Sequence, residues 1–141
     1  METLKVVCAV ISAGNVLKER AGQILIAQRK PGTHLSGFWE FPGGKIHDSE
    51  TLEKCLAREV YEELGVRVMP RRLIAAVRHK YPLREVVLYF YLCEWVCGQP
   101  FKKDCHDFRW VQPEELLRFR FPPADTGMIQ ELIRKKRLYF G

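Results

Sequence analysis

The spacing of apolar positions changes several times along the chain, and each change marks an element. Val6, Val7, Cys8, Ala9, Val10 and Ile11 form a near-continuous apolar run within Leu4 to Ile11, which predicts a strand buried on both faces. Ala13-Gly14-Asn15 predicts a turn, Lys18 to Gly22 a polar hairpin-like loop, and Ile24 to Gln28 a second strand ending at Arg29-Lys30-Pro31-Gly32. His34 to Phe38 reads as a loop, and Trp39-Glu40-Phe41 as a short extended piece running into Pro42-Gly43-Gly44. The period then becomes helical. Leu52, Leu56, Val60 and Leu64 recur at four-residue steps with Ala57 beside them, Thr51 is placed as an N-cap, and Gly65 lies just past the C-terminus.

Beyond Gly65 the pattern predicts strands at Val66 to Met69 and Leu73 to His79, separated by a basic turn at Pro70-Arg71-Arg72. Tyr81-Pro82-Leu83 is a turn, Glu85 to Cys97 a long strand rich in β-branched and aromatic residues, and Phe108 to Val111 a final strand. Pro113 to Leu117 predicts a short helix, and Asp125 to about Leu138 a terminal one, apolar at Met128, Ile129, Leu132 and Ile133. Strands, a helix, more strands and a last helix together predict an α/β sandwich built on a mixed sheet.

Composition narrows this without redirecting it. A chain of 141 residues is long enough for one well-buried domain, and residues 1–141 are read as a single unit. No apolar run approaches the ~20 residues of a membrane span, and the start carries no secretory signal. The five cysteines are odd in number and lack CxxC spacing, which predicts reduced thiols in a cytoplasmic protein. Cys105-His106 has no second Cys/His pair at finger spacing to complete a zinc site. The net charge of +6 suits an anionic partner. Much of it sits in Arg134-Lys135-Lys136-Arg137, where a helix C-terminus favours cations anyway.

The anomaly is the end of the central helix. Glu59, Glu62 and Glu63 stand in its last turn and a half, at the negative end of the helix dipole. Glu59 faces Glu62 and Glu63 at spacings of three and four, where like charges repel by about 0.2–0.5 kcal/mol per pair. A hard divalent cation, Mg2+ or Mn2+, would reverse both penalties. The full stretch is Gly44, five residues, Glu50, seven residues, then Arg58-Glu59-Val60-x-Glu62-Glu63-x-Gly65-Val66. It matches all nine specified positions of the Nudix box GX5EX7REUXEEXGU, where U is aliphatic, and follows Phe41-Pro42-Gly43. The chain resembles the Nudix hydrolases, MutT-like branch, over essentially its whole length.

The resemblance implies an α/β/α sandwich around a mixed β-sheet. It implies a Mg2+-dependent pyrophosphohydrolase, with Mn2+ as a substitute, that attacks an internal phosphoanhydride of a nucleoside triphosphate and yields a monophosphate and pyrophosphate. Removal of oxidised or modified nucleotides, such as 8-oxo-dGTP or modified dCTP, is the implied role. Glu59, Glu62 and Glu63 are the implied metal ligands, joined by the carbonyl of Gly43. Glu59 and Glu63 are candidates for deprotonating water, and an acidic residue outside the motif is another. Arg58 and Glu50 are implied to pin helix to loop, with Gly44 and Gly65 shaping the motif. Asp104 stands six residues before Trp110, where relatives carry a metal-binding glutamate. Arg29, His34, Glu40 and Arg84 match substrate-side positions, and Tyr81 or Phe38 is the aromatic expected to stack on a base.

Asp125, in Phe121-Pro122-Pro123-Ala124-Asp125, replaces an asparagine found in MutT itself. An ionised aspartate only accepts hydrogen bonds, so the base preferred need not be the same. Alternatively it caps the last helix. Two competing readings remain: a Nudix hydrolase of another diphosphate, such as 5′-triphosphate RNA or a dinucleoside polyphosphate, and a catalytically silent Nudix-like binding domain. The expected partner is a small nucleotide, with no membrane and no nucleic acid, and the protein is expected to be a monomer or homodimer.

Overall fold

A computed structural model describes residues 2–14 and 17–141. Asn15 of the expected first turn lies outside the described residues. The chain runs β1 (Glu2–Ser12), β2 (Ile24–Gln28), β3 (Trp39–Glu40), β4 (Gly43–Lys45), α1 (Leu52–Leu64), β5 (Arg67–Lys80), β6 (Arg84–Cys97), β7 (Asp107–Val111), α2 (Thr126–Arg134) and α3 (Lys136–Phe140). Short 3-10 turns occupy Lys18–Arg20, Pro113–Arg118 and Pro123–Asp125.

The sheet is mixed and organised around β1. Along one edge β1 runs parallel to β6, from Glu2 opposite Arg84 to Ser12 opposite Glu94, and β5 lies antiparallel on the far side of β6. The other edge of β1 is shared end to end. Val6–Cys8 pair with β4, and Ile11–Ser12 pair with β2. β2 in turn carries β3 and β7. The segment between Gln28 and Gly43 therefore leaves the sheet edge and returns to it, and a cleft opens there.

Strand alternation explains the apolar run of β1. Val7, Ala9 and Ile11, with Leu25 and Ala27, pack against Leu56, Val60 and Leu64 of α1. Cys8 and Val10, with Ile24 and Ile26, pack on the opposite face against Leu116, Met128, Ile129 and Leu132. One sheet thus has a helix layer on each face, as the sandwich reading requires.

Two local expectations are corrected. Val66–Met69 and Leu73–His79 are not two strands: Pro70-Arg71-Arg72 lies inside the continuous β5, with register shifts at Pro70/Arg72 and Leu73/Ala75. β5 is an edge strand, where proline and bulges are tolerated. The terminal helix is broken at Lys135, which adopts φ −111° and ψ 31°. The glycines after Pro42 open β4. A Cβ on Gly43 would lie 1.8 Å from the Val7 carbonyl oxygen, so glycine permits this close pairing.

Candidate active site

α1 is delimited as its sequence suggests. Thr51 Oγ1 accepts from the Lys54 amide at 3.1 Å, and Gly65 closes the helix at φ 72° with its N–H donating to the Tyr61 carbonyl. The last two carbonyls of the helix are capped from a distance. Leu64 O accepts from Phe101 N at 3.0 Å, and Glu63 O from Asp104 N at 2.9 Å. The loop after β6 is thereby folded back over the helix end, which carries Asp104 to the acidic turn.

Arg58 is the hub of the motif. Its Nε and Nη2 donate to the two Glu50 oxygens at 2.6 and 3.0 Å, a bidentate pair that ties helix to preceding loop. Glu50 also accepts from the His47 amide, and these bonds hold its carboxyl down at about 2. Arg58 Nη1 reaches Glu59 at 3.0 Å and Glu62 at 3.2 Å. One guanidinium thus offsets part of the repulsion expected between the carboxylates.

That compensation does not extend to Glu63. Its Oε1 is 3.4 Å from the Gly43 amide, and its Oε2 is buried with no hydrogen-bond partner. Burial first, then the charges of Glu40 and Glu59, push Glu63 well above the usual carboxylate range. Burial also raises Glu59, against the pull of Arg58. Gly44 faces Glu59 so closely that a Cβ there would lie 2.5 Å from the carboxyl group. Buried, crowded, partly unpartnered carboxylates at a glycine cradle are the donor set that a hard divalent cation satisfies. Among the described residues no three such side chains already stand at ligand spacing. Glu62, 51% exposed, is turned to Arg58, and Asp104 is paired with Lys30.

Two cavities meet here. The first, about 370 Å3, is acidic and is lined by Gly43, Gly44, Glu59, Glu62, Glu63 and Asp104. The second, about 900 Å3, is more apolar. Leu4, Val6 and Leu88 line it along the sheet, and Tyr81, Arg84 and Asp125 at its margins. Arg29 and Glu40 belong to both. Arg29 Nη1 binds Glu40 at 3.0 Å, and its Nε donates to the His34 carbonyl at 2.6 Å. His34 lines the second cavity.

The predicted residues therefore sort into two adjoining chambers. Tyr81 lines the second, whereas Phe38, the other aromatic candidate, does not and lies under the Arg120 guanidinium at 4.2 Å. Asp125 occupies the cap position of α2 without making a side-chain cap bond. It is 7% exposed and lines the second cavity. Burial, then the Glu40 charge, raises its carboxyl to about 7.

Sequence reasoning missed His79, whose ring lies 4.7 Å from that of Tyr81. The available signal was the i, i+2 spacing that puts strand residues on one face. It also missed Lys30 and Lys45 on the acidic cleft, for which isolated side chains gave no signal, and it weighed Cys105 only as part of an incomplete zinc site.

Residues 13–131 match the NUDIX domain. The 8-oxo-dGTP diphosphatase of Haemophilus influenzae is 34% identical over 124 residues, 87% of this chain and 90% of that protein. The CTP pyrophosphohydrolase of Escherichia coli is 31% identical over 130 residues, 92% of this chain and 91% of that one. The solution structure of the E. coli ORF135 protein superposes with a TM-score of 0.78 at 29% identity, covering 97% of this chain and 94% of its own. With the motif intact and its two chambers assembled, the chain belongs to the NUDIX domain family.

Proposed function

We propose that this protein hydrolyses nucleoside triphosphates at an internal phosphoanhydride, releasing a nucleoside monophosphate and pyrophosphate, and so clears oxidised or modified nucleotides. The observation that carries the reading is the junction of an acidic cleft with a larger apolar cavity across Arg29 and Glu40. The first suits a cation-bound diphosphate and the second a nucleoside. The names of the relatives, an 8-oxo-dGTP diphosphatase and a CTP pyrophosphohydrolase, support the same class.

Glu59, Glu62, Glu63 and the Gly43 carbonyl would hold Mg2+, or Mn2+ in its place, with Asp104 at the margin once released from Lys30. When bound, the cation supplies Lewis-acid polarisation of the phosphate and lowers the pKa of water. Arg58 holds the acidic turn against Glu50. Glu59 or Glu63 takes the proton of the attacking water. Arg29 and Arg84 orient the anionic substrate, His34 and Glu40 shape the passage between chambers, Tyr81 stacks on the base and Asp125 reads its edge. The buried free thiols accord with a cytoplasmic protein.

Pyrophosphate release with Mg2+ across a panel tests this. The panel holds the normal NTPs and dNTPs, 8-oxo-dGTP, 5-methyl-dCTP, a dinucleoside polyphosphate and triphosphorylated RNA. A large kcat/KM preference for a modified nucleotide is expected. Activity confined to RNA or the dinucleotide replaces the substrate class, and no activity on any substrate returns the chain to a binding role.

A further inference from the structure

Lys30 is a cation placed among carboxylates. It lines the 370 Å3 cleft with Glu59, Glu62, Glu63 and Asp104, and its Nζ pairs with Asp104 Oδ1. The backbones of both partners are anchored. The Lys30 carbonyl accepts from the Thr33 hydroxyl at 2.6 Å, and the neighbouring Arg29 amide donates to the Phe38 carbonyl at 2.9 Å. The Asp104 amide donates to the Glu63 carbonyl at 2.9 Å, and the His106 amide to the Gln28 carbonyl at 2.9 Å. Rearrangement is thus left to the side chains. These are 49% and 56% exposed, and an ion pair so open to water contributes little to stability and breaks readily. The nearby guanidiniums have firmer duties: Arg29 serves Glu40 and the His34 carbonyl, and Arg58 serves Glu50, Glu59 and Glu62.

The two halves of this pair suit different ligands. A carboxylate is a hard oxygen ligand for a divalent cation, and an ammonium offers three donors to a phosphate. Lys30 lines the first cavity and not the second, so its reach is to the diphosphate and not to the nucleoside. We propose that Lys30 is a substrate-binding residue that exchanges partners: it holds Asp104 before the ligands arrive, and it binds the pyrophosphate group once Asp104 has turned to the cation. The inference rests on the hydrolysis proposed above. The exchange leaves each charge with a partner of opposite sign at both stages. It also couples the two ligands, because each one frees the residue that the other needs.

The test titrates two ligands separately into the whole protein. Mn2+ is added alone, with its free fraction read by electron paramagnetic resonance, and pyrophosphate is added at saturating Mg2+ and read by calorimetry. Lys30→Met should bind Mn2+ about two- to fivefold more tightly, because the competitor for Asp104 is gone. It should bind pyrophosphate at least about tenfold more weakly, because a charged donor is lost. A residue that merely supported the fold would weaken both. In Asp104→Asn the pair is already broken, so adding Lys30→Met should bring no further gain in Mn2+ affinity. No gain in Lys30→Met alone, an equal gain in both backgrounds, or unchanged pyrophosphate binding overturns the inference and leaves the hydrolase reading in place. A wild type that hydrolyses triphosphates yet binds no pyrophosphate does the same. Failure of Mn2+ to bind, with no substrate hydrolysed in the panel above, overturns both together. Lys30→Gln carries the same comparison should Lys30→Met not fold.

Discussion

Glu62 and Asp125 are both acids in the candidate site, yet their surroundings predict opposite behaviour. Glu62 is half exposed and, among the described residues, bonds only to Arg58. Glu62→Gln should therefore leave the thermal midpoint within a few degrees of wild type. Second-sphere changes at metal sites already cost about 10–100-fold, so loss of a ligand should lower kcat by at least about 100-fold. Wild-type turnover in that variant would remove Glu62 from the metal set. Asp125 titrates later when folded than when unfolded. The unfolded chain releases this proton near 3.9, the folded one near about 7, so stability falls as pH rises between those values and stays lowered above them. Asp125→Asn should raise Tm more at pH 8 than at pH 4, and thermal scans at the two pH values check it. The acidic turn was legible because three carboxylates at a helix C-terminus violate local electrostatics. The unpartnered state of Asp125 was not, because a residue after Pro-Pro-Ala has the same sequence appearance whether it caps a helix or faces a cavity.

Two adjacent glycines in β4 serve different neighbours. A side chain on Gly43 would strike the backbone of β1, while one on Gly44 would meet the flexible end of Glu59. Gly43→Ala should destabilise the fold by more than about 3 kcal/mol, above the usual cost of overpacking, because the obstacle is a paired strand. Gly44→Ala should fold and lose turnover by displacing Glu59. Denaturant midpoints alongside kcat separate the two, and equal effects on both quantities would contradict the distinction. The clasp between α1 and its loop has its own signature. Because Arg58 and the His47 amide hold Glu50 down at about 2, its contribution is present above about 4.5 and is lost as pH falls toward about 2. Glu50→Gln should be less stable than wild type near neutrality, with the gap closing over that acid range in equilibrium unfolding. At this scale helix limits were readable from Thr51 and Gly65, since caps are local. The continuity of β5 was not. Pro70 and two arginines look like a turn, and only pairing with β6 shows that an edge strand absorbs them as a bulge.

Across the molecule, both faces of the sheet are sealed by helices, and this accounts for the thiols. Cys8, Cys55, Cys93 and Cys105 are buried, and Cys97 is exposed. Burial pushes the Cys55 and Cys105 thiols up to about 11. A native protein should show Cys97 reacting rapidly with a disulfide reagent, and Cys55 and Cys93, which line neither cavity, only after denaturation. Rapid reaction of Cys55 or Cys93 would mean that the packing of helix on sheet opens readily. The layers themselves were foreseeable from the even and odd positions of β1. The two-chamber plan was not, since it arises where β4 and β2 share one edge of β1, a long-range arrangement with no local pattern.

Arg29, Glu40, Gly43, Gly44 and Lys45 line both chambers. Any heritable change in this common wall alters the reacting end and the selecting end together, and most such changes would be discarded as losses of activity. The far side of the larger cavity, the β5–β6 hairpin and the segment Pro122–Asp125, carries no such double duty. Diversification of substrate range within this lineage should accumulate on that side, leaving the wall to drift little. A library randomised at Tyr81, Leu83 and Ala124 would then yield variants with new base preferences at undiminished turnover far more often than one randomised at the shared wall.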